Sequence, residues 1–346
     1  MRRFLALMLI LCLALTGCGW ALGEEEQTGT ARRGRGTVEI VDEEIEDEFT
    51  DEFDKEEDEV VVDPFEELQL DEVTLNAAFD TLDNVRNILL LGVDSRSTKT
   101  VSGRTDTMML LSVNIEKRTI KLVSFLRDTY VEIPGNKNNR LNAAYVIGGY
   151  DLLAKTLERN FGVKPDAYVT INLAGLVDVI DQLGGVYVDV PSNRIDRINA
   201  VIYWYNIEVL GMNNNPRAGY LTKGGYQLLD GRQAEAWARY RYSESDFQRS
   251  ERQRTLIKLI FERITKMSTS ELAAFAMKNI GLIRTNLSLS DLVALAPAVL
   301  ALKDAEIQQM HVPYSGSYKS ERISGMAVLV PERQKIINAL RKFFSE

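Results

Sequence analysis

The chain has 346 residues, of which 45% are hydrophobic and 26% are charged, so it holds enough apolar material for one large or two ordinary domains and is not disordered throughout. Its net charge of −9 is unevenly distributed. Residues 19–80 carry 23 acidic and 4 basic residues, a local charge of −19, whereas residues 1–18 carry +2 and residues 81–346 carry +8. The part expected to fold is therefore basic, and we expect its partner to be an anion.

Cysteine and histidine are too scarce for several kinds of chemistry. The only cysteines are Cys12 and Cys18, so residues 19–346 have no disulfide, no thiolate nucleophile and no cysteine-ligated zinc. The only histidine, His311, lies in an apolar run and is interpreted as a packed strand residue. Sites built from several histidines are excluded.

The first 18 residues are typical of a secretory signal. Two arginines precede an apolar stretch from Phe4 to Leu15, which is too short to span a bilayer. The ending Leu15-Thr16-Gly17-Cys18 resembles a bacterial lipobox, so Cys18 is predicted to carry lipid and to hold the protein at the extracellular face of the cytoplasmic membrane. An ordinary secretion signal with an incidental cysteine is the alternative interpretation.

Residues 19–80 are predicted to form a disordered acidic linker. They lack apolar periodicity and cannot bury enough surface to offset the entropy of ordering, and their charges repel one another. A specific acidic binding tail is the alternative. The predicted organisation is a signal peptide over 1–18, this linker over 19–80 and a catalytic domain over 81–346.

Strand and helix patterns alternate from residue 81 onward, which predicts a mixed α/β layered domain. Strands are predicted at 87–93, 108–115, 119–125, 168–171, 186–190, 308–312 and 327–330, the second and third joined as a hairpin. Helices are predicted at 142–160 before a capping Gly162, and at 173–183, 231–238, 246–266, 270–279, 290–302 and from Pro331 onward. Residues 192–223 have no clear pattern and are interpreted as a loop excursion with an apolar tip.

Acidic and basic residues flank the first three predicted strands. They are Asp94 and Arg96 after the first, Arg104 and Asp106 before the second, and Arg127 and Asp128 after the third. Ligands of open α/β sheets bind at strand ends, so this repeated placement indicates a site. Each pair taken alone is typical of a salt bridge, and that interpretation stays open for every pair.

Further cationic residues follow in the second half of the domain. Arg239 and Arg241 point to one face if their segment is extended, and Arg249 and Gln253 lie one turn apart on a predicted helix. Two such charges 4 Å apart repel by about 4 kcal/mol at an effective dielectric constant near 20. A diphosphate fits among them because guanidinium binds phosphate oxygens bidentately, and Mg²⁺ relieves the repulsion between aspartates and phosphates.

Seven segments resemble motifs of the LytR-CpsA-Psr family and occur in the family's order over about residues 85–346. They are NILLLGVDSR at 87–96, RTDTMMLL at 104–111, SFLRD at 124–128, RLNAAY at 140–145, GGVYVDVP at 184–191, LDGRQA at 229–234 and the stretch 238–253. The resemblance implies a three-layer α/β/α domain with a mixed central β-sheet and a hydrophobic polyprenyl channel. It also implies transfer of a cell-wall glycopolymer, such as teichoic acid or capsule, from a polyprenyl diphosphate carrier to a muramic-acid hydroxyl of peptidoglycan.

The family's functional residues carry over by position. Asp94 and Asp106 match carboxylates that hold Mg²⁺, and Asp246 matches a suspected general base. The diphosphate contacts match Arg104, Arg127, Arg239, Arg241, Arg249 and Gln253, of which Arg127 also counts as catalytic. Apolar faces within 142–160, 173–183 and 256–264 are candidates to line the lipid channel, although such faces are commonly plain core.

Two features depart from the family pattern, and other functions stay open. Leu126 stands where the family's usual Ser-Ile-Pro-Arg-Asp motif has proline, and the lipobox-like signal replaces a membrane-spanning anchor. A module that binds polyprenyl diphosphate without turnover and a hydrolase of the same diphosphate are the alternatives. A nucleic-acid partner is not expected, because the signal directs the chain away from DNA and no DNA-binding helix is evident.

Overall fold

The computed structural model describes residues 85–95, 103–114, 116–241, 246–287 and 302–345. The predicted signal peptide with Cys18, the acidic linker and residues 290–301 of the helix predicted at 290–302 lie outside these ranges, as does Arg96. No helix among the described residues is both long and apolar enough to cross a membrane.

The described residues form twelve strands and seven α-helices. The strands are β1 (Val85–Asp94), β2 (Arg104–Asn114), β3 (Thr119–Phe125), β4 (Tyr130–Val131), β5 (Asn139–Arg140), β6 (Ala167–Asn172), β7 (Val186–Val190), β8 (Gly225–Leu229), β9 (Arg284–Thr285), β10 (Ile307–Val312), β11 (Tyr318–Ile323) and β12 (Met326–Pro331). The helices are α1 (Leu141–Phe161), α2 (Leu173–Gln182), α3 (Ile195–Glu208), α4 (Gly231–Arg239), α5 (Asp246–Ile264), α6 (Thr269–Asn279) and α7 (Arg333–Ser345). Short 3₁₀ turns lie at Ser192–Arg194 and Ile280–Leu282.

Six strands pair into one mixed sheet in the order β10-β3-β2-β1-β6-β9. Strand β2 runs antiparallel to β1 and β3, as the predicted hairpin requires, while β6 runs parallel to β1 and β10 parallel to β3. Strands β7 and β8 form a separate antiparallel pair, as do β4 with β5 and β11 with β12.

Strand β1 shows why the domain has three layers. Its residues from Ile88 to Leu91 are all at most 4% exposed, and their side chains alternate between two cores. Ile88 and Leu90 pack with α2 to α6 on one face, whereas Leu89 and Leu91 pack with α1 and α7 on the other. The predicted three-layer α/β/α fold with a mixed central sheet is confirmed.

Helix α1 ends where the sequence predicts. Gly162 adopts a left-handed backbone (φ 69°), its N–H donates to the carbonyl oxygen of Glu158, and the N–H of Val163 donates to that of Leu157. The helix is kinked at Gly148 and Gly149, which depart from helical geometry. The kink was not predicted, although the two adjacent glycines are a signal of it in the sequence.

Two expectations about secondary structure are wrong, and five strands were not predicted. Residues 192–223 contain α3, whose Ile198 and Ile202 are fully buried, so the segment is not simply a loop excursion. The strands that were not predicted are β4, β5, β8, β9 and β11, of which β8 pairs with β7. Helix α7 begins at Arg333 because Pro331 is the last residue of β12, where it pairs with Tyr318.

Candidate active site

A β-bulge places Asp106 at the end of the β1–β2 pair. Gly92 pairs with Thr107 and Val93 pairs with Thr105, so Asp106 is an extra residue between them. A bulge interrupts the ladder and redirects the side chain of the inserted residue. Arg104 and Asp106 therefore lie within β2, and the expectation that they precede the strand is corrected.

The neighbouring loop is shaped by a close approach of backbones. Gly103 has φ +143°, and a Cβ atom there would lie 2.7 Å from the carbonyl oxygen of Asp94. Only glycine permits this conformation and this distance, so the chain can enter β2 directly beside the end of β1.

A small, solvent-open pocket lies beside the bulge, between β2, β3 and α5. It brings together four of the predicted site residues. They are Asp106, Arg127, Arg249 and Gln253, and the pocket is also lined by Thr107, Met108, Met109, Ser124, Phe125, Leu126 and Ser250. Two arginines, a carboxylate and an amide in one pocket form a site for an anion.

Arg127 contacts two carboxylates, those of Asp106 and Asp128. Its Nη1 atom donates to Oδ1 of Asp106 at 2.9 Å, and its Nε atom lies 3.5 Å from Oδ2 of Asp128. Arg140 lies 3.3 Å from the other oxygen of Asp128 and donates to the carbonyl oxygen of Ala327. The guanidinium of Arg127 is thus held between two carboxylates, one of which lines the pocket.

Asp94 forms a second carboxylate–arginine pair nearby. Its Oδ1 atom lies 3.5 Å from Nη2 of Arg239, whose Nη1 atom donates to Glu235 at 2.9 Å. Glu235 is fully buried, one helical turn before Arg239 on α4. The Arg239 guanidinium also lies 4.9 Å from the ring centre of Trp204 on α3. Arg239 is therefore fixed by three neighbours.

Burial and neighbouring charges shift the pKa values of Glu235 and Arg239. Burial raises the pKa of Glu235, an effect that Arg239 opposes and Asp94 reinforces. For Arg239, burial disfavours the charged form, but Glu235, Asp94 and Asp106 outweigh it and raise the pKa above its usual value. Because Asp106 contributes, the two carboxylate–arginine pairs share one electrostatic environment.

Helix α5 carries the remaining pocket residues. Arg249 is 7% exposed, and Gln253 lies one turn further along the helix. Asp246 is the first residue of α5, one turn before Arg249, but its side chain lies outside the described part of the structure.

Arg104 and Arg241 are placed less centrally than predicted. Arg104 is exposed and pairs with Asp94 in the β1–β2 ladder. Arg239 ends α4, so it does not share an extended segment with Arg241, which is exposed just beyond the helix. The condition under which both arginines would point to one face is not met.

Comparison with known proteins identifies the relationship. The model of the LytR_cpsA_psr family matches residues 49–342. The chain belongs to the LytR-CpsA-Psr family. The matched region begins inside the predicted acidic linker, and the domain boundary at residue 81 stays a prediction.

Among LytR-CpsA-Psr proteins, the chain resembles named transferases. It is 30% identical over 236 residues to the polyisoprenyl-teichoic acid–peptidoglycan teichoic acid transferase TagT of Bacillus subtilis, covering 67% of this chain and 69% of that protein. It is 33% identical to the Enterococcus faecalis protein TagU, with 61% of this chain and 64% of that protein covered. The match to TagU thus spans less than two thirds of that relative's length.

Solved structures of relatives support the same relationship. The structure of TagT bound to LIIa-WTA has a TM-score of 0.60 and 27% identity, with 76% of this chain and 90% of that chain covered. A second TagT structure, with bound octaprenyl pyrophosphate lipid, has a TM-score of 0.56 and 25% identity, with 76% of this chain and 89% of that chain covered. The fold and family that the motifs indicated are confirmed.

The donor set of this LytR-CpsA-Psr protein fits Mg²⁺. Magnesium is usually held by one or two carboxylates together with substrate phosphates and water, and Asp94 and Asp106 are two carboxylates beside an anion pocket. Within the described ranges there is no group of three or more His, Cys, Asp or Glu residues that alone would hold a metal ion. The arrangement suits a metal that arrives with a phosphate ligand.

Sequence reasoning missed three residues that contact the site. Glu235 and Trp204 hold Arg239, and Arg254 contacts two serines of the pocket wall. The spacing of Glu235 and Arg239, four residues apart on a predicted helix, is a signal that was available. Trp204 lies in the segment whose helix was not recognised, and nothing in the sequence marks Arg254 as buried.

Proposed function

We propose that this protein is a Mg²⁺-dependent phosphotransferase that moves a cell-wall glycopolymer from a polyprenyl diphosphate carrier to a muramic-acid hydroxyl of peptidoglycan. The observation that carries the proposal is the pocket that joins Asp106, Arg127, Arg249 and Gln253, with the Asp94–Arg239 pair in the same electrostatic environment. The names of the relatives TagT and TagU support this class of reaction.

The proposed reaction exchanges one phosphorus–oxygen bond for another. The acceptor hydroxyl oxygen bonds to the phosphorus that carries the glycan, the bond from that phosphorus to the bridging oxygen breaks, and polyprenyl phosphate leaves. Arg127 and Arg249 bind the phosphate oxygens, on which negative charge is spread in the transition state. Asp246, at the start of the helix that carries Arg249, is our candidate to accept the hydroxyl proton.

Asp94 and Asp106 are our candidates to hold Mg²⁺. The ion, when bound, neutralises charge on the phosphate oxygens. Arg239 stays beside Asp94 in this arrangement because its shorter contact is to the buried Glu235. Arg104 and Arg241, both exposed, are candidates to meet the diphosphate or its glycan from the solvent side.

The lipid part of the carrier needs apolar space and a membrane. Helix α5 carries Arg249 and Gln253 at the pocket, and we propose that the polyprenyl chain leaves the pocket along the surface of this helix, whose Leu256, Ile260 and Ile264 pack in the core. The proposed lipid on Cys18 holds the protein at the extracellular face of the cytoplasmic membrane, where a polyprenyl-linked glycan is within reach.

The test measures release of polyprenyl phosphate from a glycosyl polyprenyl diphosphate by the full chain in lipid vesicles. Reactions run with and without a peptidoglycan oligomer, and with Mg²⁺ or EDTA. Asp106→Ala and Arg127→Ala are compared with Arg159→Ala, which removes an arginine of α1 from an ion pair of similar length, 3.0 Å, with Glu132. We expect release that needs both acceptor and Mg²⁺ and is lost only in the two pocket variants.

Other outcomes would contradict the proposal. Release that is equally fast without the acceptor indicates a hydrolase of the diphosphate. Binding of the carrier without release under any condition indicates a carrier-binding protein. Release that persists in EDTA contradicts the role of Mg²⁺ and leaves the transferase in place.

A further inference from the structure

Arg254 is a buried cation behind the wall of the pocket. Its residue is 6% exposed, and its guanidinium donates to Ser250 Oγ at 2.7 Å, to Ser124 Oγ at 3.0 Å and to Gln309 Oε1 at 3.2 Å. Burial lowers the pKa of Arg254, and the exposed Glu251 partly offsets this effect. An arginine remains charged even when its pKa is lowered from so high a value.

The charge of Arg254 is solvated by neutral groups only. In the described part of the chain, no carboxylate oxygen lies within 4.0 Å of its guanidinium, and its three hydrogen-bond partners are two hydroxyls and an amide. Burying an unpaired charge is costly, so the protein carries a stability penalty at this position. The neighbouring His311 has a pKa lowered by burial and then by Arg254, so it adds no positive charge near neutral pH.

Both serines that bind Arg254 also line the pocket. A hydroxyl has one hydrogen to donate and two lone pairs that accept. Because Arg254 donates to Oγ of Ser124 and of Ser250, each serine uses a lone pair on the arginine side and keeps its hydrogen for an acceptor. The arginine also makes each hydroxyl a stronger donor by polarising it.

We propose that Ser124 and Ser250 donate hydrogen bonds to the anion in the pocket and that Arg254 orients and polarises them from behind. The ligand class is a diphosphate, since Arg127 and Arg249 line the same pocket and supply further cationic donors. This inference rests on the proposed function. In it, Arg254 is a positioning residue whose charge is balanced when the anion binds.

Two variants test the positive charge of Arg254 and the hydroxyl donors of the two serines separately. Arg254→Gln keeps a side chain able to hydrogen-bond but removes the charge. Ser124→Ala with Ser250→Ala keeps the charge but removes both donors. The readout is the Kd of the full chain for octaprenyl diphosphate and for octaprenyl monophosphate, measured in detergent with Mg²⁺ present.

We expect the double serine variant to weaken octaprenyl diphosphate binding about tenfold or more, as the loss of hydrogen bonds to a charged group implies. Arg254→Gln is expected to weaken it by a similar factor and to reduce the preference for diphosphate over monophosphate. Two controls match these changes in kind. Arg263→Gln removes an arginine from the same helix, and Ser112→Ala removes a buried serine hydroxyl from β2.

The inference and the proposed function fail in different ways. If the wild-type protein does not bind octaprenyl diphosphate, the proposed function is overturned. If the wild-type protein binds but the folded double serine variant binds equally well, the inference is overturned and the serines only support Arg254. Should Arg254→Gln fail to fold, the double serine variant still decides, because it leaves the arginine in place.

Discussion

The two carboxylate–arginine pairs of the site are built differently. Arg127 makes its short contact, 2.9 Å, to Asp106, which itself lines the pocket. Arg239 makes its short contact, also 2.9 Å, to the buried Glu235, and lies 3.5 Å from Asp94. In the proposed reaction the ligand therefore competes with Asp106 for Arg127, whereas the buried Glu235 holds Arg239 on the side away from the ligand.

This contrast assigns separate roles to the pairs within the proposed reaction. Arg127 is proposed to exchange its contact with Asp106 for phosphate oxygens, so that Asp106 could hold Mg²⁺. Arg239 keeps its position whether or not a ligand is bound, and its charge opposes that of Asp94 and Asp106. The first pair is expected to govern turnover, and the second to govern stability and the geometry of the metal site.

The largest expected effect comes from Arg127. Replacing it with alanine removes a donor aimed at charge that develops in the transition state, which typically costs about 100- to 1000-fold in kcat. Arg127→Lys is expected to recover little, because an ammonium group lacks the planar bidentate fork. Steady-state release of polyprenyl phosphate measures both variants, and wild-type turnover in Arg127→Ala would contradict the role.

The next effect comes from Glu235. Glu235→Leu leaves Arg239 mostly buried without its close counter-charge, and breaking a buried pair costs about 3–5 kcal/mol. A lower Tm is expected, together with a smaller loss of kcat than in Arg127→Ala. The double variant Glu235→Leu/Arg239→Met should recover stability but not turnover. If Glu235→Leu alone melts like the wild type, Glu235 does not anchor Arg239.

A smaller effect is expected at Trp204. Trp204→Leu keeps apolar bulk but removes the aromatic face below Arg239, and such cation–π contacts contribute about 0.5–1 kcal/mol where solvent reaches them. We expect a rise in KM of about two- to fivefold with kcat nearly unchanged. The matched change Tyr203→Leu, at the exposed neighbouring residue, should leave both constants as they are. Equal effects of the two changes would contradict a role for the Trp204 ring in holding Arg239.

The smallest expected effect is a pH dependence of the protein's stability, caused by Asp178 on α2. Asp178 is an exposed residue, but partial desolvation of its carboxyl, and then Asp181, raise its pKa to about 6 from 3.8. The folded protein therefore binds this proton more tightly than the unfolded chain, so stability falls as pH rises from about 4 to 6 and then levels off. Asp178→Asn removes this loss. Its Tm should match the wild type near pH 4 and be slightly higher above pH 6, and the opposite order would contradict the assignment.

The sequence predicts the layers and the pocket better than it predicts what supports them. Continuous apolar runs such as residues 87–93 indicate buried strands, and charges at their ends mark the site. The bulge at Asp106 depends on the register between two strands, which a single strand's pattern does not contain. Helix α3 was missed because its polar and aromatic residues hide the buried positions Ile198 and Ile202.

The support of the site follows from tertiary contacts that join distant parts of the chain. Arg254 reaches Ser124 across 130 residues, and Trp204 reaches Arg239 from another helix. Residues so far apart in sequence show no characteristic spacing, so the sequence does not distinguish Arg254 from a surface charge or Trp204 from a core residue. Glu235 is the exception, since its spacing from Arg239 is local and was visible.

In the proposed function, one pocket holds both the diphosphate and the metal ion. The most direct measurement is a crystal structure of the full chain with octaprenyl diphosphate and Mn²⁺, whose anomalous scattering locates the ion. We predict phosphate oxygens in contact with Arg127 and Arg249, and an anomalous peak within bonding distance of Asp94 and Asp106. A diphosphate bound elsewhere, or a metal ion that touches neither aspartate, would contradict the account.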